Sequence, residues 1–338
     1  MTNSAKLKFG LFATLAFSLF GLAWLVFHWL FPPFTPPVLP VPNGYDDLLR
    51  AAEMLAPRTG LHRDNMDADE LAAIVEQNKP ALKLAREALQ KECMVTVDWT
   101  PGQKGFEPQW ELSSSMRSLA RALEAAAWQA KRDGKIDDAI EYGLDSFELA
   151  QATANGGLIV DRMVSQPVYY MGLRTLRNQV DSLSGIDCER LLKQLKISRL
   201  ELEPIDEVIR RDLAFGRKVN GFYMSFMMTG MVKQQVQQTK DHMKEAGKRY
   251  EAYRTLLQTH LALRAFQLDN NRYPEKLDEL LPDYLPAVPQ DSFASGPLSY
   301  HPQADSYLLY SLGSDGIDDN GVETQDNVKG DLLLEVDD

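Results

Sequence analysis

Cysteine is almost missing from this chain: Cys93 and Cys188 are the only two in 338 residues. Two are too few for a disulfide framework, so a hydrophobic core has to hold the fold. The pair could be oxidised in an oxidising compartment, but two buried thiols are the favoured reading. Histidine is also sparse: His28, His62, His242, His260 and His301 are scattered, none with a second ligand at metal spacing. Positive charge is short, with 36 Lys and Arg against 48 Asp and Glu, a net charge of −12. That balance argues against a nucleic-acid surface, which needs clustered basic side chains, and suits solubility and cation binding. Nucleotide-binding glycine loops, the Gly-x-Ser-x-Gly elbow and the His-Glu-x-x-His motif are all lacking. Paired carboxylates are plentiful but fall on helix surfaces, and the acidic loop near the C-terminus has no nucleophile or base to make it a metal-assisted hydrolase, so no enzyme activity is expected.

Charge is also missing from one long run. Phe9 to Phe31 holds no charged residue, and about 20 apolar residues suffice to cross a bilayer. Lys6 and Lys8 precede the run and no Lys or Arg follows until Arg50. The positive-inside rule then keeps the N-terminus cytoplasmic and places the bulk of the chain outside the cytoplasmic membrane. A cleaved signal peptide is the competing reading. The length of the run and its Trp-Leu-Phe-Pro-Pro end favour an uncleaved single-pass anchor. Six prolines between Pro32 and Pro42 form a semi-rigid spacer.

What is present beyond the spacer is helix. Leu48, Leu49, Ala52 and Leu55 share one face of a helix over Tyr45 to Leu55. Asp67 with Glu70 has capping-box spacing for a helix to Gln77, and Pro80 suits the first turn of a second helix over Ala81 to Glu92. Met94 to Trp110 breaks the pattern; its Trp99 and Trp110 are read as packing on neighbouring helices, with a partner-binding edge as the alternative. Leu112 to Arg132 and Ile136 to Ala154 flank an Asp133-Gly134 turn, with Ala126 and Ala139 small enough for close approach. The run Gly134 to Tyr142 resembles the turn and second helix of one tetratricopeptide repeat, with no second copy at the expected period. Leu158 to Leu183 reads as a helix kinked at Pro167, with Asp161, Arg162, Arg174 and Arg177 on a solvated face. Asp187 to Ser198 and a region opening at Pro204 follow. Phe222 to Val232 carries Met224, Met227, Met228 and Met231, read as core with a membrane- or partner-facing patch as the alternative. Lys233 to Lys248 is polar and reads as a mobile excursion, and Tyr250 to Asp269 as a helix apolar mostly on one side.

The last quarter has a different character. Tyr273-Pro274 stops a helix because the residue before proline avoids the α region. Ser299-Tyr300 and Tyr307 to Leu312 alternate as a half-buried hairpin does. The loop Gly313 to Asn327 gathers Asp315, Asp318, Asp319, Asn320, Glu323 and Asp326. Hard cations take six to eight oxygen ligands, yet the spacing excludes an EF-hand, and a solvated acidic turn remains the alternative. Leu268 to Leu280, Pro297 to Tyr300 and Tyr307 to Gly316 resemble, in that order, the helix junction, short strands and calcium loop of type II secretion major pseudopilins. The resemblance implies a structural Ca²⁺ held by Asp315 and Asp326 with a carbonyl near Leu312, and less firmly by Asp318 and Asp319. The N-terminus departs from that family: Gly10-Leu11 mimics its processing site, but Leu15 stands where glutamate is required. The order as a whole resembles uncharacterised membrane-anchored bacterial proteins with a helical body and a pseudopilin-like tail.

The expectation is a mainly α protein. It has a transmembrane anchor (1–31), a linker (32–44), a helical hairpin or solenoid-like body (45–203), a helical lead-in (204–272) and a small α+β calcium-loop module (273–338). Its expected role is structural or interactive, with the membrane through its N-terminal helix and with envelope or secretion components, and no nucleic acid. The alternatives are a calcium-dependent binding module for a soluble ligand or envelope polymer, and an enzyme with a site between body and tail.

Overall fold

The first two described helix starts are set by side chains the local sequence supplies. The Asn43 side-chain oxygen accepts from the Tyr45 amide at 3.2 Å, and α1 runs Gly44–Glu53. Its amide nitrogen donates to the Met94 carbonyl at 2.9 Å, so the same residue caps α1 and ties it to the segment after α2. Asp67 caps α2 (Ala68–Leu89) by accepting from the amides of Asp69 and Glu70. The computed structural model describes residues 34–57, 67–100, 107–197, 202–220, 229–322 and 330–334.

α2 corrects the expected break before Pro80, because residues 68–89 form one helix with the proline inside it. Proline removes one intrahelical bond. Leu71, Ile74 and Val75 before it and Ala81, Leu82, Ala85 and Ala88 after it are all buried, and this burial keeps the two halves in one continuous helix. α3 (Glu107–Arg132), α4 (Ile136–Ala154) and α5 (Ile159–Arg177) pack on one another as hairpins. The α3–α4 turn is made at Gly134, φ +72°, beside a buried alanine contact of Ala127, Ala130 and Ala139. Glycines bring α4 and α5 close. A Cβ on Gly143 would lie 2.6 Å from Leu176 Cδ2, and one on Gly172 would lie 2.9 Å from the Phe147 ring.

α5 overturns the expected solvated face. Asp161 is fully buried and accepts from the Leu158 amide at 2.7 Å, and Arg162 is buried as well. Arg174 reaches Glu124 on α3 at 2.5 Å, and the Arg177 side chain is only 11% exposed. Pro167 stays inside the helix. The periodicity misleads because α5 is covered on several sides, by α3, α4, α7 and α8.

A 3₁₀ turn at Val180–Ser182 leads to α6 (Gly185–Ile197) and α7 (Ile205–Asn220). α8 then runs Thr229–Asn270, 42 residues, or roughly 60 Å at 1.5 Å per residue. It absorbs Lys233 to Lys248, so that stretch is continuous helix and not an excursion. Its C-terminal half is buried around most of its circumference, through Leu256, Leu257, Leu261, Ala262, Leu263 and Ala265. The one-sided expectation is therefore also corrected. α8 is a central helix, with α5, α6 and the tail against it.

α8 ends with Asn271 in the left-handed region, φ +54°, ahead of Tyr273-Pro274. A 3₁₀ turn (Leu277–Leu280) and an antiparallel hairpin follow: β1 (Ser299–Pro302) and β2 (Tyr307–Tyr310), with Ser299 opposite Tyr310. Ser311 bridges to Leu332. Leu277, Leu280, Leu298, Leu309, Leu332 and Leu334 belong to the same core as Tyr45 and Leu48 of α1. The protein is mainly α, eight described helices packed as hairpins with a two-stranded sheet near the C-terminus. Both cysteines are free, Cys188 buried and Cys93 half-buried.

No described helix is long and apolar enough to cross a membrane. The expected anchor, Phe9 to Phe31, lies outside the described residues, as do 221–228 of the methionine-rich run. Trp99 packs edge-on against Phe215 at 5.8 Å, the packing role expected of it; the side chain of Trp110 lies outside the description.

Candidate functional site

Two places in the C-terminal third gather chemistry. The first is the acidic loop after β2. Gly313 has φ +65°, and a Cβ there would sit 2.1 Å from the Gly330 carbonyl oxygen, so only glycine lets the two ends of the loop close. The closure brings Asp331 beneath the loop. Its Oδ2 accepts from the amides of Gly321 at 2.7 Å and Asp319 at 3.1 Å. Its Oδ1 is buried and accepts no hydrogen bond from any described residue, in a residue 1% exposed. Burial, with Asp318 and Asp319 adding repulsion, pushes the Asp331 carboxyl above the usual range against the pull of its two amides.

The expected ligands are spread over this loop. Asp315 accepts from the Ile317 amide through Oδ1 and from the Gly330 amide through Oδ2, both at 3.2 Å, next to Asp331 in the chain. Asp318 is turned to the hairpin, accepting from Tyr310 Oη at 2.8 Å and from the Asn320 amide at 2.9 Å. These bonds lower its pKa. Since Tyr310 gives its one hydrogen to Asp318, His301 Nε2, 3.1 Å from Tyr310 Oη, is the donor of that pair. The Leu312 amide donates to Asp291 Oδ2 at 2.8 Å, and Asp291 Oδ1 accepts from Ser311 Oγ at 2.7 Å. Asp326 lies outside the described residues. Among the described residues, no three His, Cys, Asp or Glu side chains already stand at ion-holding distance. Asp331 and Asp291 escaped the sequence reading. Asp331 had a usable signal: an acid between Gly330 and the apolar run Leu332 to Leu334 is placed for burial.

The second place is a pocket of about 470 Å³ where α5, α8 and the tail meet. Arg177, the last residue of α5, Asp181 of the following 3₁₀ turn, His260 of α8, Tyr273 and Tyr307 line it. Leu308, Leu333 and Leu334 supply apolar surface. His260 Nδ1 and Tyr307 Oη are 2.8 Å apart, and Tyr273 packs edge-on to Tyr307 at 4.8 Å. Burial, then the Arg177 charge, holds the His260 pKa well below the usual histidine range, so the ring is neutral. Burial raises the Tyr307 hydroxyl, with Arg177 pulling the other way. A neutral imidazole that accepts from Tyr307 at Nδ1 presents an N–H at Nε2, and that nitrogen is buried and makes no hydrogen bond with any described residue. Sequence reasoning missed this group because its members lie on four separate segments and share no local motif.

Comparisons with protein-family models, with curated proteins and with solved structures returned no match to this chain.

Proposed function

We propose that this chain is a membrane-anchored extracytoplasmic interaction protein whose C-terminal module is stapled by a structural Ca²⁺. The observation that carries the calcium reading is the Asp331 carboxylate: 1% exposed, with Oδ1 accepting from no described residue beneath an acidic loop. A buried carboxylate oxygen with no donor is costly, and a hard cation satisfies it without a proton. Asp315 is the neighbouring acid in place to share the ion, and Asp326, Asp319 and the Leu312 carbonyl complete the oxygen set that the pseudopilin resemblance implies. Asp318 is the weakest member, since its Oδ1 is held by Tyr310. When bound, the ion supplies structure rather than chemistry: it pins a loop too polar to pack by itself, and that loop caps the leucines the tail adds to the core. The absence of charge from Phe9 to Phe31 supports the anchor, and envelope or secretion components are the proposed partners.

The experiment is a thermal melt of the whole chain in detergent, with Ca²⁺ and with chelator, followed by pull-down from membrane extract in both conditions. Ca²⁺ at 100-fold over its Kd is expected to stabilise by about 2.7 kcal/mol, and Asp331→Asn to remove the response. A melting temperature that ignores both chelator and Asp331→Asn rejects the calcium staple. Partner capture independent of the N-terminal anchor and of Ca²⁺ rejects the wider role.

A further inference from the structure

We propose that the pocket between α5, α8 and the hairpin binds a small monocarboxylate, with the Arg177 guanidinium as its anchor. Arg177 lines this pocket, and its charge is less closely paired than those of three other arginines of the helical body. Arg174 pairs with Glu124 at 2.5 Å, Arg211 with Glu203 at 2.7 Å, and Arg254 donates to the Leu195 carbonyl at 2.7 Å. Arg177 has a side chain only 11% exposed, yet its one ion pair among the described residues, Nη1 to Asp181 Oδ2, is 3.5 Å long and reaches a carboxylate that is 66% exposed. Its Nε and Nη1 are buried and make no hydrogen bond with any described residue. A guanidinium taken out of water without matched acceptors is costly, and the fork of N–H groups fits a carboxylate bidentately.

The surroundings narrow the class. His260 is 5% exposed and its Nε2 makes no hydrogen bond with any described residue; in the tautomer whose Nδ1 accepts from Tyr307, it gives a second, neutral donor beside the cation. Tyr307 fixes the ring through Nδ1. The leucine walls favour a ligand with an apolar body, and the volume lies within the range of small-molecule sites. Asp181 and Asp305 stand at the same pocket and repel a second negative charge, so a monoanion is preferred over phosphate or a dicarboxylate. The site uses none of the acidic-loop residues and does not depend on the calcium reading.

The test is calorimetric titration of the full chain with acetate, isobutyrate, benzoate, benzyl alcohol and inorganic phosphate, in constant Ca²⁺. At least one monocarboxylate is expected to bind with a Kd of about 1 mM or below, and benzyl alcohol about tenfold or more weakly than benzoate. Arg177→Gln is expected to abolish carboxylate binding. If that variant fails to fold, Arg177→Lys keeps the charge but loses the planar fork, and is expected to weaken binding about tenfold. No heat from any of the three carboxylates, tighter binding of phosphate, or affinities unchanged in folded Arg177→Lys overturns the proposal. Loss of the Ca²⁺ response with carboxylate binding intact separates failure of the staple from failure of this site.

Discussion

Asp212, on α7, is a carboxyl whose environment makes stability depend on pH. Burial, with Asp161 nearby, pushes it up to about 6, although it accepts from the Ile159 amide at 3.2 Å. The folded chain therefore holds this proton more tightly than the unfolded chain, whose value is about 3.9. The resulting stability is fully present below about pH 4 and is lost as pH rises through about 6. Asp212→Asn keeps an acceptor and removes the titration. The variant is expected to match the parent at pH 4 and to exceed it by about 2–3 kcal/mol at pH 7.5; denaturant melts at the two pH values measure the difference. Asp291 serves the fold as an acceptor. Its carboxylate accepts from Ser311 Oγ and from the amides of Leu312 and Phe293, at 2.7, 2.8 and 2.9 Å. Asp291→Ala strands these donors under the hairpin and is expected to cost about 2–4 kcal/mol, read as a lower denaturation midpoint.

At the scale of elements, the α4–α5 contact depends on two glycines facing bulk. Gly143→Ala drives a methyl into Leu176, and Gly172→Ala drives one into the Phe147 ring. Helix propensity favours both changes by up to about 1 kcal/mol, so the sign is set by overpacking, which costs about 1–3 kcal/mol. Each is expected to lower the melting temperature, Gly143→Ala more, because its methyl meets the branched end of a fully buried leucine. Gly134→Ala, with nothing within 4 Å, isolates the cost of the left-handed turn alone. Much at this scale was legible in the sequence. Asp67 as a cap, the Asp133-Gly134 turn, the 136–154 helix and the 307–310 strand all fall where capping, turn and alternation rules place them. Failures came where tertiary burial overrides a local rule. Pro80 is carried by core contacts on both sides, and the charges of α5 are enclosed by four helices, a fact no single-helix periodicity contains. For the same reason the pocket around Arg177 and His260 was not legible, while the loop acids were, being adjacent in the chain.

For the whole molecule, the tail and the helical body share one core. Leu332 and Leu334 pack in the cluster that contains Tyr45 and Leu48. Loss of order in the acidic loop therefore reaches the helices. Chelation is expected to broaden or lower a single cooperative melt rather than to release a separate early transition from the module. Differential scanning calorimetry distinguishes the two.

The Ser311–Leu332 bridge has a further consequence for biosynthesis. The bridge and the leucines beside it come from residues that leave the ribosome after the helical body. The α3–α4–α5 hairpins are made of local contacts and form as soon as they emerge. The core they belong to stays open on one side until residue 334 has been synthesised. A chain stalled or cut before Gly330 is therefore an exposed apolar surface, a substrate for chaperones and proteases. Pulse-chase of a chain ending at Gly313 should show rapid degradation beside a stable full-length product.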